Sequence, residues 1–274
     1  MNMNKVRVGI IGTGFVADLH AAAFRMVPDA ELVAVASPGP GKAKAFAEKR
    51  GIPRAFENYR DLLALKEIDM VTLCLPNHLH SKAAIDAARA GKHIVCEKPL
   101  CRTLQEADAM IAACREAGVL LMYAEELCFA PKYLRAKQLV DEGAVGRAFL
   151  VKQSEEHFGP HSSWFWDVNQ SGGGVLLDMG CHSIEYARWV FGKPAIKSVF
   201  ANLGVRVHGD KTRGEDHSLC IVEYEGNRVS LAENSWAKAG GVDDRCEIYG
   251  SAGFTWADLL RGSSLLTYSE TGYG

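Results

Sequence analysis

From residue 5 to residue 123, short apolar runs alternate with amphipathic stretches. The runs Val6–Ile11, Glu31–Ala36, Asp69–Leu75, His93–Cys96 and Val119–Tyr123 are brief, rich in β-branched residues and nearly continuous. That is the pattern of strands buried on both faces. The stretches between them carry helix signals. The first helix runs to about Val27, where Pro28 stops it, and a second runs through Arg50. Tyr59 to Leu65 makes one or two turns, and the next helix ends near Ala90 with Gly91 as its stop. Thr103-Leu104-Gln105-Glu106 is a capping box that opens a helix ending near Ala117-Gly118. Arg54-Ala55-Phe56 is a candidate edge strand. Strand and helix in turn predict a doubly wound parallel sheet with right-handed crossovers.

The pattern changes at about Glu125. A helix is expected from Pro131 to Glu142 and a strand from Ala148 to Ser154. An aromatic loop follows over 157–171, then Gly172-Gly173-Gly174 and a helix from Val175 to Val190. Strands are expected at Ile196–Arg206, Ser218–Tyr224, Arg228–Trp236, Arg245–Tyr249 and Phe254–Trp256, with a hairpin turn at Glu225-Gly226-Asn227. Runs of strands after a strand–helix array predict a separate α+β domain with an open-faced, mostly antiparallel sheet. The division falls at 1–124 and 125–274.

Composition narrows the class. With 274 residues, 48% hydrophobic and 23% charged, the chain suits one large or two ordinary globular domains. A net charge of −2 gives no electrostatic footprint for nucleic acid or an anionic membrane. No apolar run is long enough to span a bilayer, and the N-terminus lacks a signal-peptide core, since its first apolar run is broken at Gly12-Thr13-Gly14. The eight cysteines form no Cys-x-x-Cys pair, which suits small core residues in a reducing cytoplasm. His157 and His161 are four apart, but Gly159-Pro160 between them argues against a helical metal pair, and no metal is expected.

The candidate chemistry lies at strand ends. Gly12-Thr13-Gly14-Phe15-Val16-Ala17 follows the first strand and opens a helix, the setting that the dinucleotide fingerprint requires. About 20 residues on, NAD sites place an acidic residue against the ribose. Here the chain has Ser37-Pro38-Gly39-Pro40-Gly41-Lys42 instead. Ser37 and Lys42 suit a 2′-phosphate, and Lys42 equally suits a solvated helix face. NAD and NADP both stay open, with a slight lean to NADP. Leu75-Pro76-Asn77 and His80 lie at the end of the third apolar run, where Asn77 suits a cofactor contact or the cap of the next helix. Glu97-Lys98-Pro99 ends the fourth, and Pro99 prevents a central strand from continuing. All three ends share one sheet edge, where open α/β sheets bind ligands. Lys98 is therefore a candidate functional residue. Glu97 is a candidate cofactor neighbour whose main role is to hold the turn. In the second half, Asp178, His182 and Glu185 are spaced by four and three on one predicted helix face.

Val8-Gly9-Ile10-Ile11-Gly12-Thr13-Gly14, Pro76-Asn77-His78-Leu79-His80, Glu97-Lys98-Pro99 and Gly172-Gly173-Gly174-Val175-Leu176-Leu177-Asp178-Met179-Gly180-Cys181-His182 resemble, in order, the glucose–fructose oxidoreductase / inositol dehydrogenase / rhizopine-catabolism (Gfo/Idh/MocA) family. The resemblance implies a Rossmann domain followed by an open-faced sheet domain. It also implies NAD(P)-linked hydride transfer to or from a secondary hydroxyl or carbonyl of a sugar, cyclitol or related polyol. It places Lys98, Asp178 and His182 at catalytic positions, with Asp178 orienting substrate hydroxyls or the His182 ring. His161, Trp164 and Trp166 are further candidate polyol contacts, with core or interface packing as the alternative for the tryptophans. The sequence departs from the family at Glu126, where relatives often have Asn, at Cys128 in place of Arg, and at Glu185, where Asp is common. The end at Thr271-Gly272-Tyr273-Gly274 comes before a further strand and helix usual in the family, an expectation of a shortened second domain. A homo-oligomer, dimer or tetramer, is expected from the exposed sheet. A redox glycosidase without net cofactor turnover and a non-catalytic cofactor-binding sensor or scaffold are the rival classes.

Overall fold

The computed structural model describes residues 5–260 and 265–272; the chain end at Tyr273-Gly274 and the first four residues lie outside them. The chain divides into two compact units, 1–124 and 125–274.

In the first unit the elements run β1 (Val6–Ile11), α1 (Phe15–Arg25), β2 (Ala30–Ala36), α2 (Lys42–Arg50), β3 (Arg54–Phe56), α3 (Tyr59–Leu63), β4 (Met70–Leu73), α4 (Asn77–Arg89), β5 (His93–Glu97), α5 (Leu104–Ala117) and β6 (Leu121–Ala124). The six strands pair in parallel in the order β3-β2-β1-β4-β5-β6. This is the Rossmann order, and its reversal lies between β1 and β4. Apolar side chains pack on both faces. Ile10 and Val35 meet Ala17 and Phe46 on one, while Ile11, Val71, Leu73 and Ile94 meet Ala84, Ala88 and Met110 on the other. Two local expectations need correction. Asn77 is the first residue of α4 and Pro76 occupies the cap position, because proline's fixed φ already suits a helix entry. At α5, Thr103 accepts from the Glu106 N–H as expected. The Glu106 carboxylate reaches the N–H of Arg102 at 2.9 Å, and its guanidinium as well, so charge pairing with Arg102 wins.

The second unit contains α6 (Pro131–Asp141), β7 (Ala148–Glu156), α7 (Val168–Ser171), α8 (Val175–Asp178), α9 (Gly180–Val190), β8 (Ile196–Gly204), β9 (His217–Tyr224), β10 (Arg228–Ser235), β11 (Asp243–Gly250), β12 (Gly253–Asp258) and β13 (Leu265–Ser269). Seven strands pair in the order β13-β12-β11-β7-β10-β9-β8, antiparallel except for β7 with β10. The sequence pattern did not show β13. The single helix expected over 175–190 is two, broken at Met179.

One face of this sheet is buried. Cys220, Val222, Ala232, Cys246 and Ile248 pack against Tyr133 and Ala136 of α6 and Tyr186, Ala187 and Val190 of α9. The other face carries a cross-strand row in which Phe200 pairs with Ile221, Ile221 with Leu231, and Trp256 with Leu266. Phe200 is 60% exposed and Leu266 51%. Among the described residues, no helix is long and apolar enough to cross a membrane.

Two loops hold the α7–α8 region in place. A Cβ on Gly174 would lie 2.0 Å from the carbonyl oxygen of Glu215, so this glycine is required by a close backbone approach. Val175 N–H donates to that carbonyl at 2.9 Å, and Leu176 N–H to the Glu215 carboxylate at 3.0 Å. Next in the chain, the Asp216 carboxylate accepts the backbone N–H groups of Arg206, Val207 and His208 at 2.6, 2.8 and 2.7 Å. Burial acts to raise its pKa, but these three donors outweigh burial and hold it below the usual value. A depressed folded-state pKa gives stability that is complete above the unfolded value, about 3.9, and is lost as pH falls through the folded value. Asp216→Asn, which sets an amide N–H₂ among donors, is expected to cost about 1–3 kcal/mol near pH 7. In urea unfolding the gap from the parent protein should narrow as pH falls below about 4; a gap independent of pH would refute the assignment.

Candidate functional site

In the first unit, the turn after β1 is built by contact. Gly12 has φ +117°, and a Cβ there would lie 2.0 Å from the Cys74 carbonyl oxygen, so only glycine lets the turn sit against the end of β4. At Gly14 a Cβ would meet nothing within 4 Å. That leaves the backbone open at the N-terminus of α1, where no side chain caps the helix. Such an end, with its dipole, suits a pyrophosphate. Phe15 is exposed and Val16 partly buried beside it. The Thr13 hydroxyl donates to Ser37 Oγ at 2.9 Å, tying the turn to the end of β2. Lys42 is exposed at the start of α2, its stem close to Gly39.

Past β4, Leu75 and Pro76 are partly exposed, while Asn77 is buried. His80 has no exposed surface. Its Nδ1 lies 2.9 Å from the Pro99 carbonyl oxygen and its Nε2 2.8 Å from that of Leu75. It braces the loops after β4 and β5 and does not present its ring to a cofactor. Burial lowers its pKa.

Glu97 is likewise a brace. Its Oε1 lies 2.7 Å from His20 Nε2, and its Oε2 accepts the Lys98 N–H at 3.2 Å. His20 Nδ1 in turn lies 2.8 Å from Thr72 Oγ1. Burial lowers the His20 pKa, but the Cys74 side chain and the Glu97 carboxylate outweigh it and raise the value to about 10. A charged pair thus spans α1 and β5 and fixes the backbone from which the half-buried Lys98 projects. Sequence spacing gave no sign of His20, which lies 77 residues from its partner.

In the second unit, His182 at the start of α9 is buried, and its Nδ1 lies 2.7 and 2.9 Å from the two carboxylate oxygens of Glu125. Glu125 is the residue that the sequence reading missed. Its neighbour Glu126 is exposed, with Oε1 3.6 Å from His182 Nε2, beyond hydrogen-bond length. Asp178 is buried and accepts from Trp236 Nε1 at 3.3 Å. The carboxylate that holds the His182 ring at Nδ1 is therefore Glu125, 57 residues away in the chain. Glu185 pairs with Lys193 at 2.7 Å and Arg188 at 3.1 Å, which ties the end of α9 to the following turn.

The donor atoms of Glu125, Cys181 and His182 lie within 4.8 Å of one another. A tetrahedral zinc would need its nitrogen and oxygen ligands roughly 3.3 Å apart. The 2.7 Å separation of Nδ1 and Oε1 is that of a hydrogen bond. The Cys181 thiol donates to the Asp178 carbonyl at 3.2 Å.

The aromatic loop is packed on itself. Trp164 stacks on Phe165 with centroids 3.8 Å apart. Trp166 meets Trp236 edge-on at 5.5 Å and His208 at 5.0 Å, with Lys211 Nζ 5.5 Å over its ring. His161 is exposed, 4.7 Å from the His157 ring.

The chain is similar to known proteins along nearly its whole length. Residues 6–125 match the model of an oxidoreductase family with an NAD-binding Rossmann fold, and residues 133–255 match the Gfo/Idh/MocA C-terminal domain. The chain is 28% identical to the myo-inositol 2-dehydrogenase of Thermotoga maritima over 97% of this chain and 79% of that protein. It is 33% identical to the D-glucoside 3-dehydrogenase of Escherichia coli, over 86% of this chain and 72% of that one. A levoglucosan dehydrogenase solved in complex with NADH and L-sorbose superposes with a TM-score of 0.90 at 27% identity, covering 98% of this chain and 77% of that one. The chain belongs to the Gfo/Idh/MocA oxidoreductase family.

Proposed function

We propose that this protein is an NAD-dependent dehydrogenase or reductase acting on a secondary hydroxyl or carbonyl of a sugar or cyclitol. The observation that carries the reading is the placement of Lys98 at the carboxyl end of β5, on the same sheet edge as the open backbone at Gly14. The glycine turn with Thr13, Phe15 and Val16 would hold the dinucleotide, with Ser37 and Lys42 toward its ribose and Leu75 and Pro76 beyond. The cofactor, when bound, supplies or accepts the hydride. The protein's own groups manage the other half of the reaction. His182 Nε2 takes the hydroxyl proton on oxidation and returns it on reduction. Lys98 donates a hydrogen bond to a substrate oxygen and stabilises the charge that develops there. Asp178 accepts from a neighbouring substrate hydroxyl, and His161 and Trp164 line the sugar.

NAD is proposed over NADP, against the lean drawn from Ser37 and Lys42. The levoglucosan dehydrogenase complex holds NADH, and the Ser37 hydroxyl is engaged by Thr13. We further propose that the second unit forms a homo-oligomer through its open face, where Phe200, Ile221 and Leu231 make an apolar row.

Three outcomes follow. Lys98→Met should lower kcat at least about 100-fold on inositols or glucosides, read as net change in nicotinamide absorbance, with cofactor affinity unchanged. Turnover equal to the parent's would exclude the role. In fluorescence titration NADH should bind at least about tenfold tighter than NADPH; the reverse order would restore the NADP assignment. Light scattering should show an assembly larger than one chain, and Phe200→Glu should reduce its mass; a monomeric parent protein would end that proposal.

A further inference from the structure

We propose that Glu125 is a positioning residue that keeps the proton of His182 on Nδ1, so that Nε2 is the ring atom exchanging a proton with substrate. This rests on the reading of His182 as the acid/base group and specifies the partner that makes it one. An ionised carboxylate only accepts hydrogen bonds. Both Glu125 oxygens lie within reach of Nδ1, at 2.7 and 2.9 Å, so Nδ1 carries a proton in the neutral and the cationic ring alike. The titrating atom is then Nε2. The Glu125 side chain is itself held, because its Oε1 also accepts the Leu127 N–H at 3.2 Å. Exposure is 5% for Glu125 and 3% for His182, so water competes little for this bond.

The arrangement acts on charge as well as geometry. On oxidation the substrate O–H bond breaks and its proton forms an N–H bond at Nε2, while the carbon bearing that oxygen would give up its hydride to the bound cofactor's nicotinamide and become a carbonyl. The ring becomes an imidazolium, and Glu125 opposes that charge at hydrogen-bond distance. On reduction the Nε2–H returns its proton to the oxygen. Three other charged or titratable groups act near the ring. Glu126 lies 3.6 Å from Nε2. Cys181 is next in the chain, and its Sγ shares the cluster. Asp244 of β11, whose pKa burial raises to about 6 against the hydrogen bond from Tyr133, also acts on His182 electrostatically. Among these, Glu125 is the one bonded to the ring through both of its oxygens.

The experiment uses the full chain with bound cofactor. Nitrogen-15 spectra of the ring nitrogens, with the His182 signals assigned by their loss in His182→Asn, should show the parent protein protonated at Nδ1 and titrating at Nε2. Glu125→Gln keeps an acceptor and removes the charge. It should lower kcat by roughly 10²–10⁴-fold, leave cofactor affinity unchanged and move the acid limb of the kcat profile down by about one pH unit or more. Glu125→Asp should recover part of the loss. A parent spectrum with the neutral-ring proton on Nε2, or a Glu125→Gln profile superimposable on the parent's, overturns the proposal. The spectral readout needs no turnover. A normal tautomer in a protein that oxidises no polyol would therefore count against the proposed function and leave the Glu125 pairing standing.

Discussion

A parallel strand can be added to a sheet only if the chain crosses back over one face, and in the first unit that constraint governs everything else. Each crossover here is made by a helix, α1 to α5, and each buries apolar surface on one side of the sheet. As a result the carboxyl ends of all six strands emerge along one edge. The turn at Gly12, the segment from Leu75 to Asn77 and the end of β5 at Glu97 are neighbours for that reason and no other. The sheet's fixed strand spacing then demands the glycine: at Gly12 the backbone of the first turn and the carbonyl of Cys74 leave no room for a side chain.

Both units use a carboxylate to hold a histidine, part-buried Glu97 in the first and buried Glu125 in the second. In the first, His20 and Glu97 form a charged pair that joins α1 to the end of β5. Its product is a fixed backbone under Lys98. In the second unit the histidine is the proposed acid/base group and the carboxylate its holder. Glu125 sits at the unit's first residue, just ahead of a 3₁₀ turn over Leu127–Phe129, and reaches a ring that enters from α9. The helix break at Met179 sets the entry point of His182, so that Asp178 turns toward Trp236 and the ring turns toward Glu125.

The second sheet meets the opposite condition. Its strands alternate, because helices cover one face only. Below α6 and α9 the small buried residues Ser218, Cys220 and Ala232 admit Tyr186 and Tyr133, and a polar chain runs from Ser183 through Gln153 to Asp244. On the open face, Lys152 pairs with Glu247 at 3.4 Å in the midst of apolar neighbours. The strand β8 is exposed along nearly its whole length, with Phe200 in the open-face row.

The sequence by itself determined what depends on local pattern and chain order. Strand-and-helix alternation, the glycine turn and Pro99 after Lys98 were enough to place the first sheet and its working edge, since periodicity and turn chemistry act over a few residues. Gly172-Gly173-Gly174 marked a close approach, although not that the backbone of Glu215 makes it. Tertiary structure decided every pairing across long separations. His20 with Glu97, His80 between the Leu75 and Pro99 carbonyls, and Glu125 with His182 join residues up to 77 apart in the chain. No spacing rule links such residues. Their partners are chosen by which side chains the packed elements bring together away from water, where a polar group without a partner is costly. That is why Lys98 could be named from its own strand, while the carboxylate that holds His182 could not.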